Sequence, residues 1–266
     1  MKKSFIYVLA LAVAIIIAAI LFALNSSSAS ASANYDNVVV SQAITAKMQA
    51  IAENQTLANG IGTGIVGGFP TKINASALTA QGKPEMLYIG ADYCPFCSIT
   101  RWGLIIALMR FGNFSKLHYM TSSIVDSYPG TATFTFYNST YQSAFINFTG
   151  VEEFTNQYNA NISFYNRLQQ PTASESNIFD KYDPQQGTPF LDFGNRSISL
   201  GALVTPESVK GLNWTTIVSK IDNPSTNVSQ AIIGSANVYT AEICVMINNS
   251  APVCSYQYVK NIERGI

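Results

Sequence analysis

Residues 88–110 read YIGADYCPFCSITRWGLIIALMR, and this stretch decides the fold. The apolar residues at 86–90 predict a short buried strand, because large apolar side chains follow one another without a charge. Cys94 and Cys97 come next, and residues 98–110 carry apolar side chains at helical spacing. The sequence therefore predicts a strand that leads into a cysteine pair, and a helix that begins within that pair.

The start of a helix is a position that changes cysteine chemistry. Free backbone N–H groups and the positive end of the helix dipole stabilise a thiolate, which lowers a cysteine pKa from about 8.5 toward neutrality. Pro95 suits the first helical turn, where no intrahelical hydrogen bond is lost. The two-residue spacer lets the two sulfurs bond to each other. We therefore expect a redox-active dithiol/disulfide, with Cys94 exposed and Cys97 shielded by the helix.

Four cysteines, Cys94, Cys97, Cys244 and Cys254, suggest two disulfides in an exported chain. Three pairings are possible, and spacing favours Cys94–Cys97 and Cys244–Cys254. For the second pair we expect a structural staple, with a second redox pair as the alternative. For the first pair, a structural disulfide and a zinc site are the alternatives. Spacers of two and nine residues do not match the usual paired zinc knuckles, so we predict no metal and no cofactor.

The N-terminal residues predict the compartment. Lys2 and Lys3 precede an apolar run at 5–24 that holds no charge and is long enough to cross a lipid bilayer. The lysines favour a cytoplasmic N-terminus, so a single-pass anchor leaves the rest of the chain extracytoplasmic at the cell membrane. A cleaved signal peptide is the alternative, because ASA at 29–31 and at 31–33 resembles a cleavage site, and the domain would then be secreted.

The charge composition excludes one class of partner. Fifteen Lys and Arg balance fifteen Asp and Glu, and charged residues make up 11% of the chain. Nucleic-acid binding needs a basic patch, so no nucleic-acid partner is predicted. Asn-x-Ser/Thr sequons occur eleven times, for example at 113–115, 138–140 and 147–149. They are compatible with a glycosylated exterior, although a chain rich in Asn, Ser and Thr also produces such triplets by chance.

The order strand, Cys-Pro-Phe-Cys, helix, followed much later by Thr188-Pro189 before a predicted hairpin at 190–200, resembles the thioredoxin superfamily. In that superfamily a cis-proline faces the dithiol and helps to hold an extended segment of the substrate. Pro189 is the matching position in this chain. The resemblance therefore implies substrate-binding roles for Thr188, Pro189, Pro95 and Phe96.

A narrower similarity is to an archaeal thioredoxin-like family of unknown function with a CPxC motif and an N-terminal membrane segment. The matching segments are GKP at 82–84, YIGADYCPFC at 88–97, RW at 101–102, RFGNFS at 110–115, and AN at 236–237 with the C-terminal cysteines. This similarity covers most of the exported chain and implies no established substrate.

Two positions depart from the superfamily pattern. Thioredoxins place a buried acid six residues before the first cysteine, where this chain has Tyr88. Asp92 is a possible proton-transfer acid, but we expect it closer to the surface, where a solvated charge is the simpler interpretation. Strongly oxidising periplasmic enzymes have a histidine in the spacer, where this chain has Phe96, so no redox potential can be transferred.

The expected fold is an α/β, thioredoxin-like mixed sheet flanked by helices, with a helical insertion and terminal extensions. Within the insertion, residues 151–168 are predicted to be helical and residues 171–187 to be turns. The predicted segments are a transmembrane anchor at 1–24, a flexible tether at 25–36, an N-terminal helical extension at 37–82, the thioredoxin-like domain at 83–222 with its insertion at about 138–187, and a C-terminal extension at 223–266.

Two functions from different classes fit these features. The first is a membrane-tethered extracytoplasmic thiol–disulfide oxidoreductase, in which Cys94 attacks and Cys97 resolves. Its partners would be thiols or disulfides of exported proteins, or a membrane redox partner, with the lipid bilayer holding residues 5–24. The second is a non-catalytic surface or adaptor protein with two structural disulfides, which the missing acid at Tyr88 favours.

Overall fold

The computed structural model describes residues 36–266. The predicted anchor and nearly all of the predicted tether lie outside the described residues. Between residues 36 and 266, no helix is both long enough and apolar enough to cross a bilayer.

The strands are β1 (Thr71–Lys72), β2 (Thr79–Ala80), β3 (Lys83–Gly90), β4 (Gly112–Thr121), β5 (Ala132–Ser143), β6 (Asn147–Glu152), β7 (Phe154–Asn159), β8 (Phe164–Arg167), β9 (Phe190–Phe193) and β10 (Ser197–Leu200). The helices are α1 (Gln42–Glu53), α2 (Gln55–Ile61), α3 (Pro95–Leu108), α4 (Ala173–Tyr182), α5 (Trp214–Ile221), α6 (Asn227–Met246) and α7 (Gln257–Glu263), with 3₁₀ turns at Pro206–Val209 and Pro252–Ser255.

A mixed sheet is built around β3, whose two neighbouring strands run in opposite directions to each other. β9 pairs with β3 antiparallel and β6 pairs with it parallel, so Tyr88 is opposite both Leu191 and Gly150. The sheet continues from β9 through β10 to β1, and β2 joins the start of β3. Residues 86–90 are all buried, because helices cover both faces of this strand. The predicted mixed sheet flanked by helices is confirmed.

Alternate residues of β3 face two different hydrophobic layers. Met86 and Tyr88 belong to the main cluster, which also contains the buried faces of α3 and α6. Leu87 and Ile89 point to the opposite side and pack with Phe179 of α4. The sheet is therefore held between helices on both sides, and this fixes the end of β3 from which the chain enters the cysteine pair.

The insertion at 138–187 differs from the prediction. Residues 151–168 complete β6 and form the β7–β8 hairpin instead of helices, and helix α4 lies in the stretch predicted to be turns. The large apolar residues of its two strands are aromatic, and Tyr158 and Tyr165 meet across the hairpin with ring centres 5.6 Å apart. Cross-strand aromatic pairs stabilise a β-hairpin. Here this stabilisation outweighs the helical spacing of the apolar residues. A capping box formed by Thr172 and Glu175 starts α4.

The predicted hairpin at 190–200 is confirmed. β9 and β10 pair antiparallel, with Ile198 opposite Asp192. The turn between them contains Gly194 and Asn195, both with positive φ, which glycine and asparagine adopt at low cost. The hairpin places the start of β9, and not its turn, beside the cysteine pair.

The terminal extensions pack on the same core as the sheet. Asn237 of α6 donates to the carbonyl oxygens of Ala58 and Gly62 in the N-terminal extension, at 2.9 and 2.7 Å. The predicted Cys244–Cys254 disulfide is present, and both cysteines are buried. The described residues form one compact unit, so the extensions are parts of a single folded body.

Gly234 and Gly60 test this packing as a matched pair. A Cβ at Gly234 would lie 2.4 Å from the Thr63 carbonyl oxygen, whereas a Cβ at Gly60 in α2 would meet nothing within 4 Å. We expect Gly234→Ala to lower the free energy of unfolding by about 1–3 kcal/mol, because backbone must shift. Gly60→Ala should leave it unchanged or raise it by up to about 1 kcal/mol. Urea denaturation measures both, and equal effects would contradict the packing of α6 against Thr63.

Candidate functional site

Cys94 is the N-cap of α3. Its backbone is extended, and its sulfur accepts a hydrogen bond from the backbone N–H of Cys97 at 3.2 Å. Its carbonyl oxygen accepts the N–H of Ser98, the first bond of the helix, and Pro95 takes the first helical position. The predicted order of strand, cysteine pair and helix is therefore present, with the first sulfur at the positive end of α3.

The two cysteines of the pair are free thiols, so the structure presents their dithiol form. Cys97 is fully buried, and Cys94 is 6% exposed. The prediction of an exposed Cys94 is wrong, because Tyr93 and Phe154 pack against the pair. The predicted ranking holds, since Cys94 is the more accessible of the two sulfurs.

The pKa values of the two thiols are pushed apart. The pKa of Cys94 is lowered to about 7, chiefly by its hydrogen bond with the Cys97 side chain and also by the Cys97 backbone N–H and the positive Arg101, while burial acts in the opposite direction. Burial raises the pKa of Cys97, and the neighbouring Cys94 raises it further. At neutral pH Cys94 is the thiol that ionises.

Thr188 and Pro189 lie beside the cysteine pair. Phe190, the first residue of β9, pairs with Ile89 near the end of β3, so the residues just before it reach the loop that carries Cys94. The Cys94 thiol lies 3.6 Å from the Thr188 carbonyl oxygen. The Thr188–Pro189 peptide bond is cis, as the resemblance implies. A chain segment that approaches the Cys94 sulfur along this side would contact Thr188 and Pro189.

A buried ion pair joins α3 to the end of β6. The Arg101 guanidinium donates from Nε to Glu152 Oε1 at 2.8 Å and from Nη2 to Oε2 at 2.6 Å, and both side chains are fully buried. Nη2 also donates to the Ala91 carbonyl oxygen at 2.7 Å, in the loop before Cys94. Because an arginine does not lose its proton in proteins, the guanidinium is a buried positive charge with Glu152 as its direct partner. Burial raises the pKa of Glu152, and Arg101 acts in the opposite direction.

Asp92 is buried beside the same guanidinium, which corrects the expectation that it lies near the surface. The residue is 1% exposed, and Oδ1 lies 3.6 Å from Arg101 Nη2. Its N–H donates to the Phe154 carbonyl oxygen, so β7 covers it. Burial and the negative Glu152 raise the pKa of Asp92 to about 8, against the lowering effect of Arg101. Two carboxyls share one guanidinium, and at neutral pH Asp92 holds a proton.

Tyr88, six residues before the first cysteine, does not supply an acid to the site. Burial raises its pKa well above the usual range for tyrosine. Its ring meets Phe136 edge-on at 5.0 Å, and its hydroxyl lies against Gly90, where a Cβ would be 2.1 Å away. The buried acids of this site come instead from Asp92 and Glu152.

Glu152 is the site residue that sequence reasoning missed. It lies 51 positions after Arg101, in a segment predicted to be helical, and nothing local marks it as a partner. One signal was present, because Arg101 falls among apolar residues of the helix at 98–110. An arginine buried on such a face requires a carboxylate, although the sequence does not say which one.

Aromatic side chains from two elements surround the cysteine pair. Tyr93 stacks on Tyr165 of β8 with ring centres 4.1 Å apart and meets Phe164 edge-on. In the helix start, the half-exposed Phe96 meets Tyr128 edge-on at 6.0 Å. A partner that reaches Cys94 would therefore contact aromatic surface contributed by the hairpin and by the loop at 122–131.

The cysteines do not form a shared metal site within the described residues. Cys244 and Cys254 are bonded to each other. Across residues 36–266, no three side chains of His, Cys, Asp or Glu converge on a common point as metal ligands would.

Comparison with known proteins gives one match. A family model described as "Domain of unknown function (DUF929)" matches residues 70–245, which include the cysteine pair, Arg101, Glu152 and Pro189. Neither a curated protein nor a solved structure matches the chain. The family match covers more than half of the sequence and carries no activity of its own.

The pKa of Cys94 predicts a pH profile for alkylation. In the reduced chain we expect one thiol to react with iodoacetamide, with a midpoint near pH 7, because the reactive form is the thiolate. An ordinary cysteine has a midpoint near pH 8.5. Cys94→Ser should remove the fast reaction, and Cys97→Ala should shift the midpoint upward because its side chain can no longer donate a hydrogen bond to the Cys94 sulfur. A wild-type midpoint above pH 8.5 would contradict the geometry at the start of α3.

The pKa of Asp92 predicts a pH dependence of stability. A folded-state pKa of about 8 against an ordinary value of 3.8 means that the unfolded chain binds fewer protons between pH 4 and pH 8. The free energy of unfolding therefore falls with rising pH in this window, by up to about 1.4 kcal/mol per pH unit from this group. Asp92→Asn removes this slope, and the exposed Asp180→Asn serves as the control. The urea midpoint of each protein is measured between pH 5 and pH 8. If it changes with pH equally in Asp92→Asn and in wild type, Asp92 is not buried in its protonated form.

Proposed function

We propose that this chain, which belongs to the DUF929 family of domains of unknown function, is a membrane-tethered extracytoplasmic thiol–disulfide oxidoreductase. It would exchange disulfides with cysteines of exported proteins through Cys94 and Cys97. The observation that carries the proposal is the Cys94 sulfur at the N-cap of α3, bonded by the Cys97 N–H and next to Thr188.

The proposal includes a thioredoxin-like fold. It is supported by the order of β3, the cysteine pair, α3 and then Thr188-Pro189 before the β9–β10 hairpin, with β9 beside β3. The segments between α3 and Thr188 add the β7–β8 hairpin and α4 to this arrangement. The substrate-binding roles of Pro95, Phe96, Thr188 and Pro189 belong to the same proposal.

In the reducing direction, the Cys94 thiolate attacks one sulfur of a partner disulfide. The S–S bond of the partner breaks, its second sulfur leaves as a thiolate that takes up a proton, and Cys94 becomes part of a mixed disulfide. A pKa of about 7 gives a large thiolate fraction at neutral pH while the sulfur stays a good nucleophile.

Cys97 then resolves the mixed disulfide. Its thiolate attacks the Cys94 sulfur, the bond to the partner breaks, and the partner leaves as a dithiol while Cys94 and Cys97 form a disulfide. Two electrons and two protons pass to the partner in all. Cys97 must first lose a proton, which its raised pKa opposes. Asp92 holds a proton at neutral pH because its pKa is about 8. We assign it a relay role, in which it first gives this proton to the departing thiolate of the partner and then, as a carboxylate beside Arg101, accepts the Cys97 proton and passes it to the second departing thiolate.

The reverse sequence oxidises partner thiols with the Cys94–Cys97 disulfide. The direction is set by the reduction potentials of the pair and of its partner. A lowered pKa of Cys94 stabilises the reduced form of the pair and therefore favours the oxidation of partners. A membrane redox partner would then remove the two electrons from the dithiol.

Insulin reduction tests the activity. With dithiothreitol as the source of electrons, the full chain in detergent should accelerate the reduction of insulin disulfides. Cys94→Ser should return the rate to that of dithiothreitol alone, because the attacking sulfur is lost. Cys97→Ser should also lose turnover. When the pre-reduced variants are mixed with insulin without dithiothreitol, Cys97→Ser should accumulate a mixed disulfide on a non-reducing gel, and Cys94→Ser should not. Circular dichroism of both variants checks that they are folded.

Undiminished turnover by Cys94→Ser would reject the enzymatic proposal. A non-catalytic adaptor with two structural disulfides predicts a different outcome for the oxidised chain. Under mild reductant, Cys94 and Cys97 would then resist alkylation as strongly as the buried Cys244 and Cys254. Early opening of the first pair supports the oxidoreductase.

A further inference from the structure

We propose that the face around Cys94 docks on the surface of a lipid bilayer through exposed apolar side chains on three neighbouring segments. The docking depends on the membrane anchor predicted at 5–24 and not on the redox activity. Its consequence, that partners present their cysteines to Cys94 at the membrane surface, rests on the proposed function.

Six exposed apolar side chains form what we name the apolar rim. They belong to the loop at 122–131, to the β7–β8 hairpin and to the start of α3. Ile124 is 78% exposed and Ile162, at the hairpin tip, is 58% exposed. Contiguous apolar surface of this kind marks an interaction site more often than scattered single residues do. The rim consists of Phe96, Ile124, Val125, Tyr158, Ile162 and Phe164.

Contacts at the cysteine pair hold the segments of the rim together. The Ser123 N–H, next to Ile124, donates to the Tyr93 carbonyl oxygen at 2.9 Å. The Tyr93 ring meets Phe164 of the hairpin edge-on. Phe96 meets Tyr128 of the same loop. The three segments of the rim therefore meet at the residues that flank Cys94.

The chain enters the folded unit at the rim. The Asp36 carboxylate accepts the N–H of Thr121 at 2.9 Å, directly before the loop at 122–131. It also accepts the side-chain amide of Asn156 in β7 at 2.6 Å. Asp36, the first described residue, is thus fixed between the two main segments of the rim.

Chain length then decides which face the bilayer can reach. The predicted span ends at residue 24, and the eleven residues at 25–35 reach at most about 40 Å even when fully extended. A unit of about 230 residues has a radius of gyration near 17 Å and hence a diameter of about 45 Å. The path over its surface to the opposite face is about 70 Å on the same estimate. The face opposite Asp36 is therefore out of reach of the anchor, whereas the rim is within reach of it.

The chemistry of the rim favours lipid over a charged partner. Its side chains are aliphatic and aromatic, the types that insert at the boundary of headgroups and acyl chains. Among the described charged side chains beside it, Arg167 pairs with Glu153 at 2.6 Å and Lys210 with Glu207 at 3.4 Å. The half-buried Asp126, which follows Val125, accepts the backbone N–H of Ser127. With no basic cluster in this described region, docking should not need anionic lipids. The proposed occupant is an uncharged phosphatidylcholine surface.

Tryptophan quenching by brominated lipid tests the docking. Full chains carrying Ile124→Trp or Val245→Trp are reconstituted into phosphatidylcholine vesicles, with or without bromine at the headgroup end of the acyl chains. Val245 is the control, because its neighbour Met246 packs against Gly194 at the other end of β9 from Pro189. Bromine should lower the added Ile124→Trp emission roughly two-fold, since interfacial side chains lie about 5–10 Å into this boundary. The emission of the control should not change.

A second pair of chains excludes an effect of the new tryptophan itself. Tyr158→Trp reports from the hairpin, and adding Ile124→Ser with Val125→Ser should abolish its quenching by bromine. Equal quenching of Ile124→Trp and Val245→Trp, or none at Ile124→Trp, would overturn the docking, and in the second case a protein partner becomes the occupant of the rim. A glycan on Asn161, in the sequon at 161–163 of the hairpin tip, would also overturn it.

The docking and the proposed activity fail separately. Insulin reduction is measured in detergent, where no bilayer surface is present. A chain that reduces insulin but shows no quenching keeps the proposed function and loses the docking. A chain that is quenched but inactive keeps the docking alone.

Discussion

The buried contact between Arg101 and Glu152 is the interaction on which the site depends. It joins α3 to the end of β6, and the third bond of the guanidinium holds the Ala91 carbonyl in the loop that leaves β3. Three elements are thereby fixed around the helix start. Removing one charge would leave the other unpaired in the core, at a cost of about 3–5 kcal/mol. The position of the Cys94 sulfur therefore follows from a contact that does not touch it.

The same guanidinium organises the protons of the site. Glu152 accepts from Nε and from Nη2, and the Ala91 carbonyl oxygen accepts the other bond from Nη2, so Asp92, at 3.6 Å from Nη2, has no hydrogen bond to the guanidinium. A second buried carboxylate beside one cation is not compensated, so Asp92 is neutral where an exposed aspartate is charged. Two thiols and an acid with pKa values pushed apart in this way are the arrangement that acid–base chemistry at neutral pH requires.

The parts of the site that are local in sequence are predictable, and the parts that depend on folding are not. The strand, the cysteine pair and the helix follow one another directly, so periodicity and the turn residues define them. The β9–β10 hairpin is equally local. Glu152 meets Arg101 only because β6 pairs parallel to β3, a register that no short pattern encodes. Asp92 is close to Cys94 in sequence, yet its burial is produced by Phe154, which belongs to a hairpin with aromatic residues that also fit a helical spacing.

That hairpin links the surface of the site to its interior. Phe154 accepts the Asp92 N–H, and Tyr165 stacks on Tyr93 next to Cys94, so one element both excludes water from the acid and builds the wall beside the sulfur. The raised pKa of Asp92 results mainly from this exclusion of water. Any displacement of the hairpin that admits water to Asp92 would remove the cause of the raised pKa and release the proton. The charge of the buried acid therefore depends on the position of β7, the strand that also contributes to the aromatic wall.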